Sequence, residues 1–369
     1  MLLPDDELVR EAAGRFRDVD EAVSITALGQ GNINDTFLVD DGQRTIVLQR
    51  LNHAVFPRPE EVAANFVLVS RHIARSSRIH AVNFSCSQPV HTLSGELFYL
   101  DAQGNCWRAQ TYVEHLPSRN LQLTRDTAAQ LGRVLALFHQ LTADLDPGRL
   151  SNPLPGFHIT PLCLSQFDEA VASRRGAASP ELSRCLGCVD SHRHIADRLE
   201  EAKRVGRLSL RTIHGDPKLD NIIFTANGRA VGLFDLDTTG PGLIHYDLGD
   251  CLRSSCNRVG EAAESWDRVE FDLDTCEAVL AGYLQAAGTT LGPWDLHYIY
   301  DAMLVITFEL GLRFLTDHLR GDPYFKVTSP HQNLYRALGQ FRLADSIARQ
   351  EKAIRACVDR LGDTHLRIS

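Results

Sequence analysis

The pattern of apolar and polar positions changes character near residue 115. Before that point, β-forming residues recur in short runs, at Ser24 to Leu28, Thr36 to Asp40 and Thr45 to Arg50. Runs of this length and composition predict strands. Gly29 and Gly31 punctuate the first gap, and Asp40-Asp41-Gly42 reads as the turn of a hairpin between the second and third strands. Val62, Phe66, Val69 and Ile73 share one face of a helix predicted from Glu60 to Ala74. More strands follow, separated at Gly95 and Gly104, the last running from Trp107 to Val113.

Beyond Leu116 the period becomes helical. Leu131, Val134, Leu135 and Phe138 mark a helix from Asp126 to Leu141, and helical patterns fill most of Pro161 to Val205. Two short strands flank the segment Leu210 to Asp237, after which helices return. The fold class is therefore α+β, with a small β-rich lobe over residues 1–115 and a large, mainly helical lobe over 116–369. The expected link is His115 to Arg119, where Pro117 breaks the run.

Composition narrows the function. At 44% hydrophobic and 23% charged, the chain resembles an ordinary globular protein. A net charge of −9 argues against a nucleic-acid partner. No apolar run approaches ~18 residues, so no membrane span is expected. The first residues lack the charge and apolar pattern of a secretory signal, which gives a cytoplasmic expectation. Nine irregularly spaced cysteines read as free thiols. Cys185, Cys188, His192 and His194 have spacings that a metal site could use, but helical burial produces the same steps.

The densest chemistry is His214-Gly-Asp-Pro-Lys-Leu-Asp-Asn221. Phosphoryl transfer needs a carboxylate to take the proton of the attacking hydroxyl, a cation near the transferred group and an oxygen ligand for Mg²⁺. Asp216, Lys218 and Asn221 supply these in one loop, with the Asp-to-Asn spacing of kinase catalytic loops. Phe234-Asp-Leu-Asp237 follows an apolar run and places two carboxylates, Asp235 and Asp237, at a strand end. Mg²⁺ prefers such oxygen ligands. A hairpin between the motifs would bring Asn221 and Asp235 to the same end. Each motif alone is weak, since an Asp-x-Asp is usually a solvated turn; their order and spacing carry the inference.

Two further elements fit a nucleotide. Gly29, Gly31 and Asn32 lie between the first two strands, where exposed backbone N–H groups can cradle phosphates. Arg50 ends the third strand, where kinases place a cation paired to a helix glutamate; Glu60 and Glu61 are the expected partners. The bland alternatives are a simple turn and an exposed strand-end arginine. Tyr112, Val113 and Glu114 occupy the place of a kinase hinge, where adenine would meet the backbone.

These motifs resemble the aminoglycoside phosphotransferase and choline kinase superfamily, which has a protein-kinase-like fold. Longer segments are most similar to bacterial N-acetylhexosamine 1-kinases: GQGNINDTFLV, IVLQRLNHAVFPRPEEV, FDLDTTGPGLIHYDLGDCLRS and ELGLRFLTDHLRGDPYFKV, in order between Gly29 and Leu343. One departure is Asn32, where a histidine is common in that family. The resemblance implies transfer from ATP, with Mg²⁺, to the anomeric hydroxyl of N-acetylglucosamine or N-acetylgalactosamine. It further implies that Asp216 is the base, that Asn221 and Asp235 hold Mg²⁺, and that Arg313 and Tyr324 lie near the sugar. Without it, Arg313 would read as a solvated helix residue with Asp301, Glu309 and Asp317 as ion-pair neighbours. Asp247 and Asp250 are placed either to accept backbone N–H groups of the catalytic loop or to cap the following helix. The alternatives are a kinase of another small acceptor (another sugar, choline or an aminoglycoside) and an inactive nucleotide-binding module.

Overall fold

The computed structural model describes residues 6–17, 23–28, 33–116, 121–261 and 263–368. The N-terminal part holds α1 (Asp6–Phe16), β1 (Ser24–Ala27), β2 (Asp35–Asp40), β3 (Thr45–Leu51), α2 (Pro59–Ile79), β4 (Pro89–Val90), β5 (Tyr99–Leu100) and β6 (Cys106–Thr111). The strands form one antiparallel sheet in the order β1-β2-β3-β6-β4, with β5 also paired to β6. The β2–β3 hairpin turns as the sequence predicts. Asp40 accepts the Gly42 N–H at 2.9 Å, and Asp41 accepts the N–H groups of Gln43 and Arg44.

Strand parity gives the sheet two different faces. Ile46, Leu48, Trp107 and Ala109 pack under α1, against Val9 and Phe16. Val47 and Gln49 point the other way, into a cleft below the sheet. Helix α2 is longer than its apolar pattern predicted, and it packs downward. Phe66, Val69 and Ile73 share a core with Leu131, Val134 and Phe138, so the two parts of the chain are packed together there.

The C-terminal part is mostly helical: α3 (Arg125–Leu141), α4 (Thr160–Ser173), α5 (Pro180–His192), α6 (Arg198–Arg204), then after the strands α7 (Ile244–Ser255), α8 (Leu273–Ala287), α9 (Pro293–His297), α10 (Ile299–Leu319), α11 (Gln332–Arg349) and α12 (Glu351–Ile368). Between α6 and α7 run β7 (Arg211–Ile213), β8 (Ile222–Phe224), β9 (Ala230–Leu233) and β10 (Gly240–Gly242), paired as β8–β9 and β10–β7. A small antiparallel sheet above a larger helical part is the kinase-like arrangement expected. Cys185 and Val189 of α5 are buried in the helical core, and His192 Nδ1 donates to the Cys188 carbonyl at 3.1 Å. Among the described residues no helix is long and apolar enough to cross a membrane.

Candidate active site

The catalytic loop is held from below by one carboxylate. Asp247, in the first turn of α7, accepts the backbone N–H groups of His214 and Gly215 at 2.8 and 2.7 Å. His139 of α3 bonds the same carboxylate at 2.9 Å. Asp247 is fully buried; burial opposes its charge, yet these hydrogen bonds outweigh it and hold the carboxyl below the ordinary range. Of the two roles open to Asp247, holding the loop is the one the geometry shows; Leu243 occupies the N-cap of α7. Asp250 does neither, and is forked by Arg253 at 2.6 and 3.0 Å. Gly215 turns the loop at φ 88°, and a side chain there would strike Thr238.

Asp216 and Lys218 project into the cleft from this loop and pair at 2.6 Å. Burial, with Asp250 nearby, raises the Asp216 carboxyl against the pull of Lys218. Asn221 donates to the Asp216 backbone oxygen at 2.7 Å and to its carboxylate at 3.1 Å, which leaves the Asn221 side-chain oxygen as a ligand. The β8–β9 hairpin pairs Ile222 with Leu233, so Asn221 and Asp235 emerge side by side at one end. Gly232 lets this hairpin approach the chain at Ser85, whose carbonyl would lie 1.7 Å from any added Cβ.

Asp235 sits in the left-handed region at φ 57°, a conformation that Asp tolerates better than most residues. It opens onto the cleft, but crowding by protein, Asp237 and Asp216 pushes its carboxyl up to about 7. Among the described residues nothing donates a hydrogen bond to it. A carboxylate with no hydrogen-bond donor of its own, beside an amide oxygen, is a donor set suited to a hard divalent cation. Asp237 differs. It is buried, and both its oxygens are taken, one by Arg108 and the other by Asn34 at 2.6 Å. Asp237 lines the cleft beside Asp235, each of its oxygens accepting one hydrogen bond from the N-terminal part of the chain.

The remaining expectations divide. Tyr112 and Val113 line the cleft with His115, whose ring meets Phe234 edge-on at 4.5 Å; Glu114 is exposed and does not line it. Gly29, Gly31 and Asn32 lie outside the described residues, as do Pro117 to Arg119 of the expected link. Arg50 points to the wrong face. It is out of phase with Gln49, forks onto Asp35 at 2.8 and 3.0 Å and lies over Trp107 at 5.5 Å. Glu61 pairs instead with Arg58. The cation on the cleft side of the sheet is Arg108 of β6, the cross-strand partner of Gln49. The sequence held a signal for it: an arginine inside the strand Cys106–Thr111 between buried neighbours.

A second cavity, of about 360 Å³, meets the cleft of about 470 Å³ at Asp216, Lys218 and Thr238. Arg313 reaches it from α10. Its guanidinium is framed by the rings of Phe157, Phe325 and Tyr324 at 4.8, 5.4 and 5.6 Å. Among the described residues it has no ion pair. Asp301 pairs with Arg198, Glu309 bonds Thr160, and Asp317 accepts the N–H groups of Tyr324 and Phe325 at 2.9 Å. Asp317 thus fixes the loop carrying Tyr324. Sequence reasoning missed His158, which bonds the Gly215 carbonyl at 2.8 Å and lies 3.3 Å from Glu309.

Comparison with known proteins gives this geometry a family. The chain is 28% identical over 254 residues to a Deinococcus radiodurans protein described as uncharacterized, covering 66% of each. It therefore spans slightly less than two thirds of that relative. Among solved structures, a microcompartment-associated aminopropanol kinase aligns over 95% of this chain and 98% of its own, with TM-score 0.63 and 17% identity. An aminoglycoside phosphotransferase from Alicyclobacillus acidocaldarius aligns over 100% and 97%, with TM-score 0.62 and 17% identity. At such identities these two share the fold. The model of the APH phosphotransferase enzyme family matches residues 24–297, which include the whole N-terminal sheet and the catalytic loop, and the chain belongs to that family.

Proposed function

We propose that this phosphotransferase moves the γ-phosphoryl group of ATP to the anomeric hydroxyl of an N-acetylhexosamine, giving a sugar 1-phosphate. The observation that carries the reading is the meeting of two cavities at Asp216. The cleft under the sheet suits the nucleotide, with Tyr112 and Val113 at its back and Asn221 and Asp235 at its phosphate end. The second cavity suits the acceptor. A hydroxyl presented from it would meet Asp216, while Lys218 would turn from Asp216 to face the transferred group.

Asp216 accepts the hydroxyl proton as the oxygen attacks in line. Lys218 offsets charge on the phosphoryl oxygens. Asn221 and Asp235 would hold Mg²⁺, which when bound neutralises phosphate charge and orients the leaving group. Positioning and charge neutralisation supply most of the catalysis, with no covalent enzyme intermediate.

The acceptor cavity combines ring faces (Phe157, Phe314, Tyr324) with polar groups, as pyranose recognition requires. An amino-alcohol acceptor, as in the aminopropanol kinase, would need net negative charge. Four acids line this cavity (Asp216, Asp250, Glu261, Glu309) against five Lys and Arg residues. That balance favours a neutral polyol. ADP release with Mg·ATP across N-acetylglucosamine, N-acetylgalactosamine, glucosamine, galactose and glucose, with choline and kanamycin as controls, tests the assignment. Turnover confined to choline or kanamycin would overturn it.

A further inference from the structure

Asp237 is the point where the sheet grips the catalytic part of the chain. Its two oxygens are bound by Arg108 and Asn34, both from the N-terminal part. Arg108 and Asp237 are almost fully buried, at 3% and 2% side-chain exposure. Arg108 is fixed in turn by Gln49, whose side-chain oxygen accepts from its Nε at 3.1 Å and its Nη2 at 2.7 Å. The guanidinium carbon lies 4.9 Å from the Phe66 ring of α2. Asn34 is tied to the end of β3 by the Asn52 N–H at 3.0 Å. Two residues of the N-terminal part, each fixed by other parts of it, thus hold one carboxylate, two residues beyond Asp235.

Protein kinases join their lobes around the phosphates with a lysine on the third strand and a glutamate on the following helix. Here β3 turns Gln49 toward the cleft, and α2 offers the aromatic face of Phe66 rather than a carboxylate. The cation comes from β6 and the carboxylate from the turn after β9. A buried ion pair of this kind is costly to break on one side, because the other charge is left stranded. We propose that Arg108 is a positioning residue: through Asp237 it locks the sheet onto the left-handed turn that aims Asp235, so metal-dependent nucleotide binding requires the two parts to be docked. The proposal rests on Asp235 being a metal ligand.

The test is calorimetric binding of ADP with and without Mg²⁺, which needs no acceptor. It uses the full chain and the variants R108M, R108K, D237N and R108M/D237N. Both R108M and D237N should lower the Mg²⁺-dependent gain in ADP affinity at least ~10-fold while metal-free ADP binding stays within ~2-fold. The double variant should be no worse than either single one, because both break the same link. R108K should recover only part of the gain, since a point charge cannot hold Gln49 and Asp237 together as a fork does. R108K and D237N carry the test if R108M does not fold. A lower melting temperature in R108M with an unchanged Mg²⁺ gain would overturn the proposal and leave a purely structural ion pair. Loss of the gain in D237N but not in R108M would overturn it in favour of direct ligation by Asp237. Absence of any Mg²⁺ gain in the unaltered protein would instead remove the metal reading of Asp235, and the proposal with it.

Discussion

At the scale of single residues, the site separates groups that react from groups that hold. Asp216 is the only carboxylate shared by both cavities among the described residues, and it pairs with Lys218; in the proposed function Asp216 is the base and Lys218 faces the phosphoryl group. Asp216→Asn should cut turnover at least ~100-fold, as loss of a general base does, and leave nucleotide affinity near normal. Unchanged turnover in a rate assay would refute the base assignment. Asp235→Ala should weaken Mg·ATP binding instead, and a titration showing equal affinity would count against its metal role. Arg313 is held by rings and not by acids, so its N–H groups are available to an acceptor. Arg313→Met should raise the acceptor KM by about 10-fold or more, the scale of one lost charged hydrogen bond, with little change in the KM for ATP. That Asp216, Lys218, Asn221 and Asp235 would line one cleft was legible because their spacing is set by one tight loop and one hairpin. Arg50 was misread because a strand reverses its facing at every residue, and sequence alone does not say which parity meets the cleft.

At the scale of elements, the catalytic loop is a suspended structure. β7 leads into it, the β8–β9 hairpin leaves it, and Asp247 on α7 supports its start. Replacing Asp247 by Ala strands two buried N–H groups and should cost about 3 kcal/mol or more in urea unfolding. The pH dependence has a defined sign. The Asp247 carboxyl lies below its ordinary value in the fold, so the folded state takes up its proton less readily than the unfolded state. Its contribution is present above the ordinary carboxylate range and is lost as pH falls through it. The stability gap between the parent protein and Asp247→Ala should therefore narrow below about pH 5. A gap that stays constant down to pH 3.5 would show that the charge of Asp247 is not what holds the loop. The strands and helices around this loop were largely readable from period and punctuation. The partners of Asp247 were not, since His139 lies more than a hundred residues earlier and meets it only through the packing of α3 on α7.

At the scale of the whole molecule, the proposed function needs two parts of the chain to form one site. The shared core under α2, the Gly232 crossing at Ser85 and the Asp237 anchor all fix the sheet relative to the catalytic loop. The order of a strand-rich part and a helical part was visible in the sequence. The second cavity was not, because its walls come from α7, α10, the loop after α10 and the segment around Phe157, far apart along the chain. Only the resemblance pointed to Arg313 and Tyr324. The central claim is transfer to an anomeric hydroxyl, and the most direct measurement compares ADP release with N-acetylglucosamine or N-acetylgalactosamine against the same sugars carrying a methyl group on the anomeric oxygen. The account predicts Mg²⁺-dependent turnover with at least one free sugar and none above background with its methyl glycoside. Equal rates for the free and blocked sugars would place the phosphate on another hydroxyl and contradict it.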